Sequence, residues 1–314
     1  MNSNKTIGIV GQGFVGTAIR EKFKEFYIVN AYDKYNKDGS VTYNKEKIIK
    51  DENTIKSLVE NNNIIFVCVP TPMFEDGECD ISIVKSVIND LADECESQDK
   101  EIITVIKSTI PPGTTKDLNR ISKRVGVVFN PEFLTEANSI EDFKNQTRIV
   151  LGIDYAEFTK PVYQVFKECF PKAEIICINS GEAEMTKYAT NLFLATKVSF
   201  FNDIYKVCES LSLNYNHVIE ATLHDPRIGK SHYMVPGPDG DFGYGGHCFP
   251  KDMQAMLYIA AKYNLAIPTL VGAHTTNMIV RNNKDWEKME GRAVAKRKDN
   301  NIEEVNYLET NIKE

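Results

Sequence analysis

The chain has 314 residues, of which 42% are hydrophobic and 26% are charged, and its formal net charge is −7. This length allows a full hydrophobic core and favours two domains. The mild negative charge, and the lack of a basic stripe with interleaved aromatic residues, argue against nucleic acid as a partner.

The N-terminal residues and the cysteines bear on the cellular compartment. The sequence MNSNKTIGIV enters a strand-like run without a charged and then apolar leader. No apolar stretch approaches the ~20 residues that span a bilayer, so we expect a cytoplasmic protein without a membrane partner. The seven cysteines are odd in number and form no CxxC pair, which predicts neither a disulfide framework nor a zinc site.

Apolar strand-like runs alternate with helical patterns from Thr6 to about residue 179. The runs are TIGIV, YIVNAYD, NIIFVCVP, EIITVIKS, VGVVFN, TRIVLGI and AEIICIN. This alternation is typical of an α/β domain with a mainly parallel, doubly wound sheet. We therefore predict a Rossmann-like domain over residues 1–179.

A mainly helical second domain is predicted over residues 180–290. Ser180 is the expected N-cap of its first helix, with Glu182 and Glu184 in the first turn. The sequence that follows remains compatible with a helix for well over ~20 residues.

A glycine-rich stretch at residues 236–252 interrupts the helical pattern. Another helix is predicted after it, from about Lys251 to Tyr263. Residues 291–314 are charged and polar, so we expect a short helix or a frayed tail there.

The first strand is followed directly by a dinucleotide-binding motif, GQGFVG. Gly11 permits the tight turn, Gly13 lets the backbone approach a pyrophosphate, and Gly16 allows close packing of helix on strand. Phe14 and Val15 complete the helix start that faces the phosphates. The alternative is that these glycines only shape a turn, but the surrounding strand, helix and acid are all in register.

An acidic residue ends the second strand-like run. Asp33 can accept both ribose hydroxyls of NAD and would repel the 2′-phosphate of NADP. Lys34 is the next residue and also lies in the expected cofactor site, but Asp33 occupies the deciding position. The sequence therefore predicts NAD as cofactor.

Two polar residues on the predicted long helix suggest a site for a developing negative charge. Lys187 and Asn191 are spaced i, i+4, so both can reach a single oxygen and stabilise an oxyanion. The alternative is a solvated helix face.

Cys248 lies at the end of the glycine-rich stretch, shortly before the helix predicted from Lys251. A thiol beside a helix N-terminus and a lysine is expected to be partly ionised and nucleophilic. Pro250 suits a first helical turn. An inert packing role is the alternative for an isolated cysteine.

Seven collinear segments over about residues 6–280 carry a family resemblance. They are GQGFVG, VPTP (69–72), KSTIPPGT (107–114), NPEFLTEA (130–137), EMTKYATNLFLA (184–195), DPRIG (225–229) and GYGGHCFPKD (243–252). On these segments the chain resembles the UDP-glucose/GDP-mannose dehydrogenase family. The resemblance implies NAD-dependent four-electron oxidation of a nucleotide sugar, with UDP-glucose to UDP-glucuronate as the first expectation.

The resemblance also implies roles for individual residues. Cys248 matches the nucleophile that captures the aldehyde, and Lys187 and Asn191 match the groups that stabilise the oxyanions. Glu132 matches the acid/base that activates the hydrolytic water. Asp252 matches a carboxylate that orders water and takes the alcohol proton. Thr109 and Glu136 are expected at the nicotinamide. The other implied cofactor contacts in these segments are Val69, Pro70, Thr71 and Ser108.

The nucleotide sugar is expected to be held by loops on both sides of the cysteine. The implied contacts beyond Lys187 and Asn191 are Glu132, Phe133, Leu134, Thr135, Glu136, Tyr244, Gly245 and Arg227. In the family, the residue matching Arg227 reaches the neighbouring subunit's site, which implies a homodimer built on the long helix. If Glu132 and Glu136 lie on a helix, their i, i+4 spacing supplies two separable carboxylates.

The chain also departs from the family pattern. Family enzymes usually continue into a third domain, so we expect a short form in which the partner subunit or the insertion HYMVPGPDGDFGY (232–244) completes the pocket. His232, His247 and Cys248 lack a fourth well-spaced metal ligand, and no metal is predicted.

Other functions remain open from the sequence. They include a GDP-mannose or UDP-N-acetylhexosamine dehydrogenase, a two-electron β-hydroxyacid dehydrogenase without a role for the cysteine, and a nucleotide-sugar-binding module without catalysis. The glycan that the product would supply is not indicated.

Overall fold

A computed structural model describes residues 5–34, 41–43, 47–49 and 54–297. The described residues form two compact units. The first contains residues up to Thr71 together with Ile81–Lys187, and the second contains Pro72–Asp80 and residues from Tyr188 onward.

The first unit is an α/β domain around a seven-stranded sheet of order β2-β1-β5-β6-β7-β8-β9. All neighbouring strands are parallel except β7 and β8. A separate antiparallel pair joins β3 and β4. The strands are β1 (Thr6–Val10), β2 (Ile28–Tyr32), β3 (Val41–Tyr43), β4 (Lys47–Ile49), β5 (Ile64–Val67), β6 (Ile102–Ile106), β7 (Val125–Phe129), β8 (Arg148–Gly152) and β9 (Glu174–Ile178). The predicted mainly parallel, Rossmann-like sheet is confirmed.

Helices connect the strands and make up most of the second unit. They are α1 (Phe14–Phe23), α2 (Ile55–Asn61), α3 (Ser82–Ser97), α4 (Thr114–Leu118), α5 (Ser139–Lys144), α6 (Ala156–Cys169), α7 (Ser180–Ser210), α8 (Tyr215–Thr222), α9 (Cys248–Lys262), α10 (Pro268–Val280) and the 3₁₀ turn Asp285–Lys288. No helix among the described residues is long and apolar enough to cross a bilayer. The boundary predicted between residues 179 and 180 coincides with the start of α7, and the two units divide within this helix.

The central strands of the sheet are buried on both faces because they carry apolar residues at successive positions. In β5, Phe66 packs into one core cluster, whereas Ile65 and Val67 pack into the other. Phe66 contacts Phe23 and Phe166 edge-on at ring-centroid distances of 5.2 and 6.0 Å. This alternation explains why the central strands appear in the sequence as continuous apolar runs.

The start of α7 differs in detail from the prediction. Asn179, not Ser180, caps the helix: its Oδ1 accepts from the Glu182 amide at 2.9 Å, and Glu182 Oε2 accepts from the Asn179 amide at 3.2 Å. This reciprocal pair is a capping box. Ser180 is the first helical residue, and its hydroxyl donates to Asp154 at 2.7 Å.

Glu184 anchors α7 to the N-terminus of α4. The carboxylate is fully buried and accepts from the amides of Gly113 and Thr115, at 2.5 and 2.7 Å, and from the Thr115 hydroxyl at 2.6 Å. Burial raises the pKa of Glu184 to about 7 although these hydrogen bonds oppose the shift. The folded protein therefore holds this proton at pH values where the unfolded chain has lost it.

This raised pKa predicts a pH-dependent contribution to stability. As pH rises from about 4.5 to 7, the free energy of unfolding contributed by Glu184 should fall by about 3 kcal/mol and then stay level. We expect the advantage of the wild type over Glu184→Gln, measured by urea unfolding, to be larger at pH 5 than at pH 8. A difference that is constant or grows with pH would contradict this expectation.

The helix that carries the cysteine starts earlier than predicted. It begins at Cys248, not near Lys251, and His247 precedes it. Pro250 does not prevent this start because the first-turn amides of a helix have no intrahelical acceptor to lose.

The prediction of a frayed tail was wrong for residues 291–297. Ala293 is fully buried, and Met73 exchanges backbone hydrogen bonds with Ala293 and Ala295, each at 2.8 Å. Arg297 pairs with Asp76 at 2.6 Å. This segment belongs to a small core that includes Trp286. The remainder of the predicted tail, residues 298–314, lies outside the described residues.

Candidate active site

The glycine motif forms a turn with room for a phosphate group. Gly11 has a φ of +91°, and its amide donates to the Tyr32 carbonyl at 2.8 Å. A Cβ at Gly16 would lie 2.0 Å from the Gly11 carbonyl oxygen, so only glycine fits there, whereas a Cβ at Gly13 would meet no atom within 4 Å. The space beside Gly13, at the start of α1, is where a pyrophosphate would approach.

Asp33 follows β2 and lies beside this turn. Its Oδ2 accepts from the Gln12 amide at 2.7 Å, which places the carboxylate next to the glycine motif. Lys34 is exposed. The acidic side chain thus stands where a ribose would be bound in a dinucleotide site.

The two segments after β5 and β6 are joined by reciprocal side-chain hydrogen bonds. The Thr71 hydroxyl donates to the Thr109 carbonyl at 2.7 Å, and the Ser108 hydroxyl donates to the Val69 carbonyl at 2.6 Å. Both segments lie at the carboxyl ends of parallel strands, which is the edge that binds ligands in open α/β sheets. The structure therefore brings these four predicted cofactor residues together.

Glu132 and Lys187 form a buried ion pair in the first unit. Their side chains are 7% and 4% exposed, and Lys187 Nζ lies 2.8 Å from Glu132 Oε1. Glu132 Oε2 also accepts from the Leu134 amide at 2.7 Å. Burial alone would raise the pKa of Glu132, but the ammonium group of Lys187, the Leu134 amide and the charge of Lys107 together outweigh burial, so the pKa is lowered.

The Glu132 segment is not helical, so the helical spacing considered for Glu132 and Glu136 was wrong. Pro131 precedes Glu132, and α5 begins only at Ser139. Glu132 is buried whereas Thr135 and Glu136 are exposed. The Phe133 ring lies 4.2 Å from the Arg148 guanidinium carbon and 5.7 Å from Lys187 Nζ.

Lys107, the first residue of the segment KSTIPPGT, is a buried charge that the sequence alone does not mark as a site residue. Its Nζ donates to Asn130 Oδ1 at 2.6 Å and contacts the Pro131 carbonyl. Burial lowers the pKa of Lys107 to about 8. Lys107 therefore supports the backbone immediately before Glu132.

The second unit contains a matching polar cluster on α7 and α9. Asn191 Nδ2 donates to Asp252 Oδ2 at 2.6 Å, and Lys251 Nζ pairs with Asp252 Oδ1 at 2.5 Å. Asp252 is 1% exposed. Burial would lower the pKa of Lys251, but the charge of Asp252 and its hydrogen bond, with a contribution from the neighbouring Cys248 and Cys79, raise it overall. Lys251 and Asp252 lie near the start of the helix that Cys248 begins.

Lys187 and Asn191 occupy successive turns of α7, as predicted, and each has its own carboxylate partner. The solvated-face alternative is wrong because both residues are buried. The sequence points to the two carboxylates, Glu132 and Asp252, only through the motifs that contain them. Each lies more than 50 residues away along the chain from its partner on α7.

The predicted sugar-loop residues differ in exposure. Tyr244 is 4% exposed, and its hydroxyl is buried without a hydrogen-bond partner in the described protein. Gly245 has no room for a side chain, because a Cβ would lie 2.2 Å from Arg281 Nη2. Arg227 is exposed and folds back onto Asp225.

Comparison with known sequences resolves the family. The profile described as "UDP-glucose/GDP-mannose dehydrogenase family, NAD binding domain" matches residues 35–170, and the profile of the central domain of the same family matches residues 181–278. The chain belongs to the UDP-glucose/GDP-mannose dehydrogenase family. The family resemblance found in the sequence motifs is thereby confirmed.

Individual family members support this assignment. A putative UDP-glucose 6-dehydrogenase of Bacillus subtilis, YtcA, is 35% identical over 76% of this chain and 54% of its own length. The UDP-glucose 6-dehydrogenase TuaD of the same organism is 33% identical over 82% of this chain and 59% of its own length. The chain thus spans little more than half the length of these curated relatives.

Solved structures show the same fold. A UDP-glucose dehydrogenase from Pyrobaculum islandicum superposes with a TM-score of 0.79 at 26% identity, covering 88% of this chain and 69% of that chain. A 3-hydroxyisobutyrate dehydrogenase of Mycobacterium tuberculosis is similar in fold alone, with a TM-score of 0.68 at 14% identity over 88% of this chain and 93% of that chain.

NAD as cofactor is confirmed by the match to the family's NAD-binding domain. The described residues fit it: Gly13 leaves an open approach at a helix N-terminus, and Asp33 places a carboxylate beside the glycine motif as an acceptor for the ribose. Gly11, Gly13 and Gly16 would hold the pyrophosphate, and the segments 69–71 and 108–109 would line the remainder.

Proposed function

We infer that this protein catalyses the NAD-dependent four-electron oxidation of a nucleotide sugar, with UDP-glucose to UDP-glucuronate as the reaction. The observation that carries the inference is the buried Asn191–Asp252–Lys251 cluster, in which Lys251 and Asp252 lie near the start of the helix that Cys248 begins. An inert packing cysteine has no need of a buried carboxylate with two polar partners so near to it, whereas a nucleophile does.

The first oxidation converts the primary alcohol to an aldehyde. Asp252 takes the alcohol proton, and Asn191 and Lys187 donate to the oxygen as negative charge develops on it. NAD, when bound, accepts the hydride that leaves the carbon. Both donors are held by buried carboxylates before substrate arrives, so little reorganisation accompanies the reaction.

The second oxidation requires the aldehyde to be retained. The Cys248 thiolate adds to the carbonyl carbon and forms a thiohemiacetal, which keeps its C–H bond for transfer of a second hydride. Loss of that hydride, which a second NAD would accept, and of the hydroxyl proton to Asp252 gives a thioester. A water molecule, deprotonated by Glu132, attacks the thioester carbon, and the C–S bond breaks to release the carboxylate and the thiol.

The names of two relatives support UDP-glucose over other sugars. TuaD is named a UDP-glucose 6-dehydrogenase, and YtcA a putative one. We would incubate the protein with NAD and UDP-glucose, GDP-mannose or a UDP-N-acetylhexosamine, and record NADH absorbance and product mass. NADH and the carboxylate mass with UDP-glucose support the inference. NADH with another sugar alone reassigns the substrate, and no NADH with any of them contradicts it.

The protein is further proposed to act in the cytoplasm as a homodimer built on α7. Three apolar residues at seven-residue intervals, Phe193, Phe200 and Val207, are 67%, 55% and 53% exposed. A stripe of this kind on a long helix is typical of helix–helix association. Arg227, which is exposed near the end of α8, is proposed to reach the partner's sugar site.

Phe200→Glu should convert the dimer to a monomer, because the stripe would then place a charge in an apolar interface. Sedimentation velocity would measure the mass of the wild type and the variant. Leu265→Glu, at another exposed apolar position, is the control and should leave the mass unchanged. A monomeric wild type, or a dimeric Phe200→Glu protein, would rule out this interface.

A further inference from the structure

We propose that Asn277, Arg281 and Asp285 are positioning residues that hold the glycine-rich loop before Cys248 in its reactive arrangement. These three residues, spaced by four along the end of α10 and the turn after it, contact Tyr244, Gly245 and Gly246 in succession. We call them the loop ladder. The inference rests on the proposed role of Cys248.

Asn277 satisfies both backbone polar groups of Tyr244. Its Oδ1 accepts from the Tyr244 amide at 2.7 Å, and its Nδ2 donates to the Tyr244 carbonyl at 3.1 Å. The side chain is 1% exposed. A Cβ at Gly243, which has a φ of +68°, would lie 2.2 Å from Asn277 Oδ1, so the amide fills the space that a side chain there would need.

Arg281 lies against Gly245, the next loop residue, since a Cβ at Gly245 would lie 2.2 Å from Arg281 Nη2. Its side chain is 1% exposed and is surrounded by three carboxylates, with Nη2 2.6 Å from Asp239 and 3.5 Å from Asp285 and with Nε 3.5 Å from Asp241. A buried guanidinium needs such partners to offset its desolvation. Because two of these carboxylates belong to the insertion at 232–244, Arg281 joins the insertion to the loop.

Asp285 completes the ladder nearest to the cysteine. Both of its carboxylate oxygens accept from the Gly246 amide at 3.1 Å. Gly246 has a φ of +70° and lies two residues before Cys248. The ladder therefore fixes the backbone up to the start of α9.

A loop so rich in glycine has many accessible conformations unless side chains restrict it. A displacement of about 1 Å at a reacting group can cost about a hundredfold in rate. Restraint of residues 244–246 from α10 thus serves the placement of the thiol and of the Tyr244 ring, which packs edge-on against Phe249 at 6.0 Å.

The test compares Asn277→Asp and Asp285→Asn with the wild type. Asn277→Asp keeps the acceptor for the Tyr244 amide but sets an oxygen against the Tyr244 carbonyl. Asp285→Asn keeps the shape and removes the charge opposite Arg281. Thr275→Ala, on the same helix, removes only a hydroxyl that bonds to the Val271 carbonyl and is the control.

We expect amide hydrogen exchange in residues 243–249 to accelerate about tenfold in both ladder variants, with exchange in the sheet unchanged. With NAD and UDP-glucose, kcat should fall about tenfold to a hundredfold, and the fold-change in KM should be smaller than that in kcat. The control should match the wild type in every measurement. Wild-type exchange in this segment, or a wild-type kcat in both variants, would overturn the proposal.

The hydrogen-exchange measurement does not require the protein to turn over a substrate. It therefore tests the role of the ladder independently of the proposed reaction. If the wild type oxidises no nucleotide sugar but the variants still exchange faster in residues 243–249, the ladder holds the loop and the proposed function is wrong. If one variant unfolds, the other decides, because the two changes affect different steps of the ladder.

Discussion

Replacing Cys248 with serine should reduce formation of the carboxylate about a thousandfold or more. A serine hydroxyl is not ionised at neutral pH and is a poor nucleophile without a dedicated base, so the aldehyde is no longer captured for the second hydride transfer. NADH formation should fall with it. Product mass spectrometry and NADH absorbance under saturating NAD would measure both.

Cys177→Ser provides the matched control, since Cys177 is exposed on the edge strand β9 of the first unit. This variant should retain wild-type rates. Full production of the carboxylate by Cys248→Ser would mean that no covalent step occurs at this residue, whatever the substrate.

Lys187→Met should lower kcat about a hundredfold to a thousandfold, because it removes a charged donor from the developing oxyanion. It should also destabilise the fold by about 3–5 kcal/mol, since Glu132 is left as a buried carboxylate without its partner. The pKa of Glu132 is lowered by this pair, so the stability it contributes is present above the ordinary carboxyl pKa and is lost as pH falls through the lowered value.

The double variant Lys187→Met/Glu132→Gln separates the two effects. It should recover much of the lost stability, because neither side chain of the former pair is then a buried charge without its partner, but none of the lost activity. Lys100→Met removes another partly buried lysine, which bonds to the carbonyls of Val59 and Glu60, and should leave kcat unchanged. A wild-type kcat in Lys187→Met would contradict the assigned role.

The features that could be predicted from the sequence are local ones. The glycines at 11, 13 and 16, the acid at 33 and the strand-like runs each act over a few residues, and the structure reproduces them. The i, i+4 spacing of Lys187 and Asn191 likewise follows directly from helix geometry.

The features that could not be predicted depend on contacts between distant residues. Asn277 and Tyr244 are 33 residues apart, and no periodicity marks such a pair. The packing of segment 291–297 does not follow from its composition, because charged and polar residues dominate it although Ala293 and Val294 supply the apolar contacts that anchor it. The start of α9 at Cys248 was missed because proline at the third helical position gives no signal of its own.

The number of NADH molecules formed per nucleotide sugar consumed tests the central claim most directly. With limiting UDP-glucose and excess NAD, the proposed four-electron oxidation requires two NADH for each carboxylate released, because each of the two hydride transfers reduces one NAD. One NADH per sugar, with an aldehyde or ketone as the final product, would show a single oxidation and contradict the proposed function.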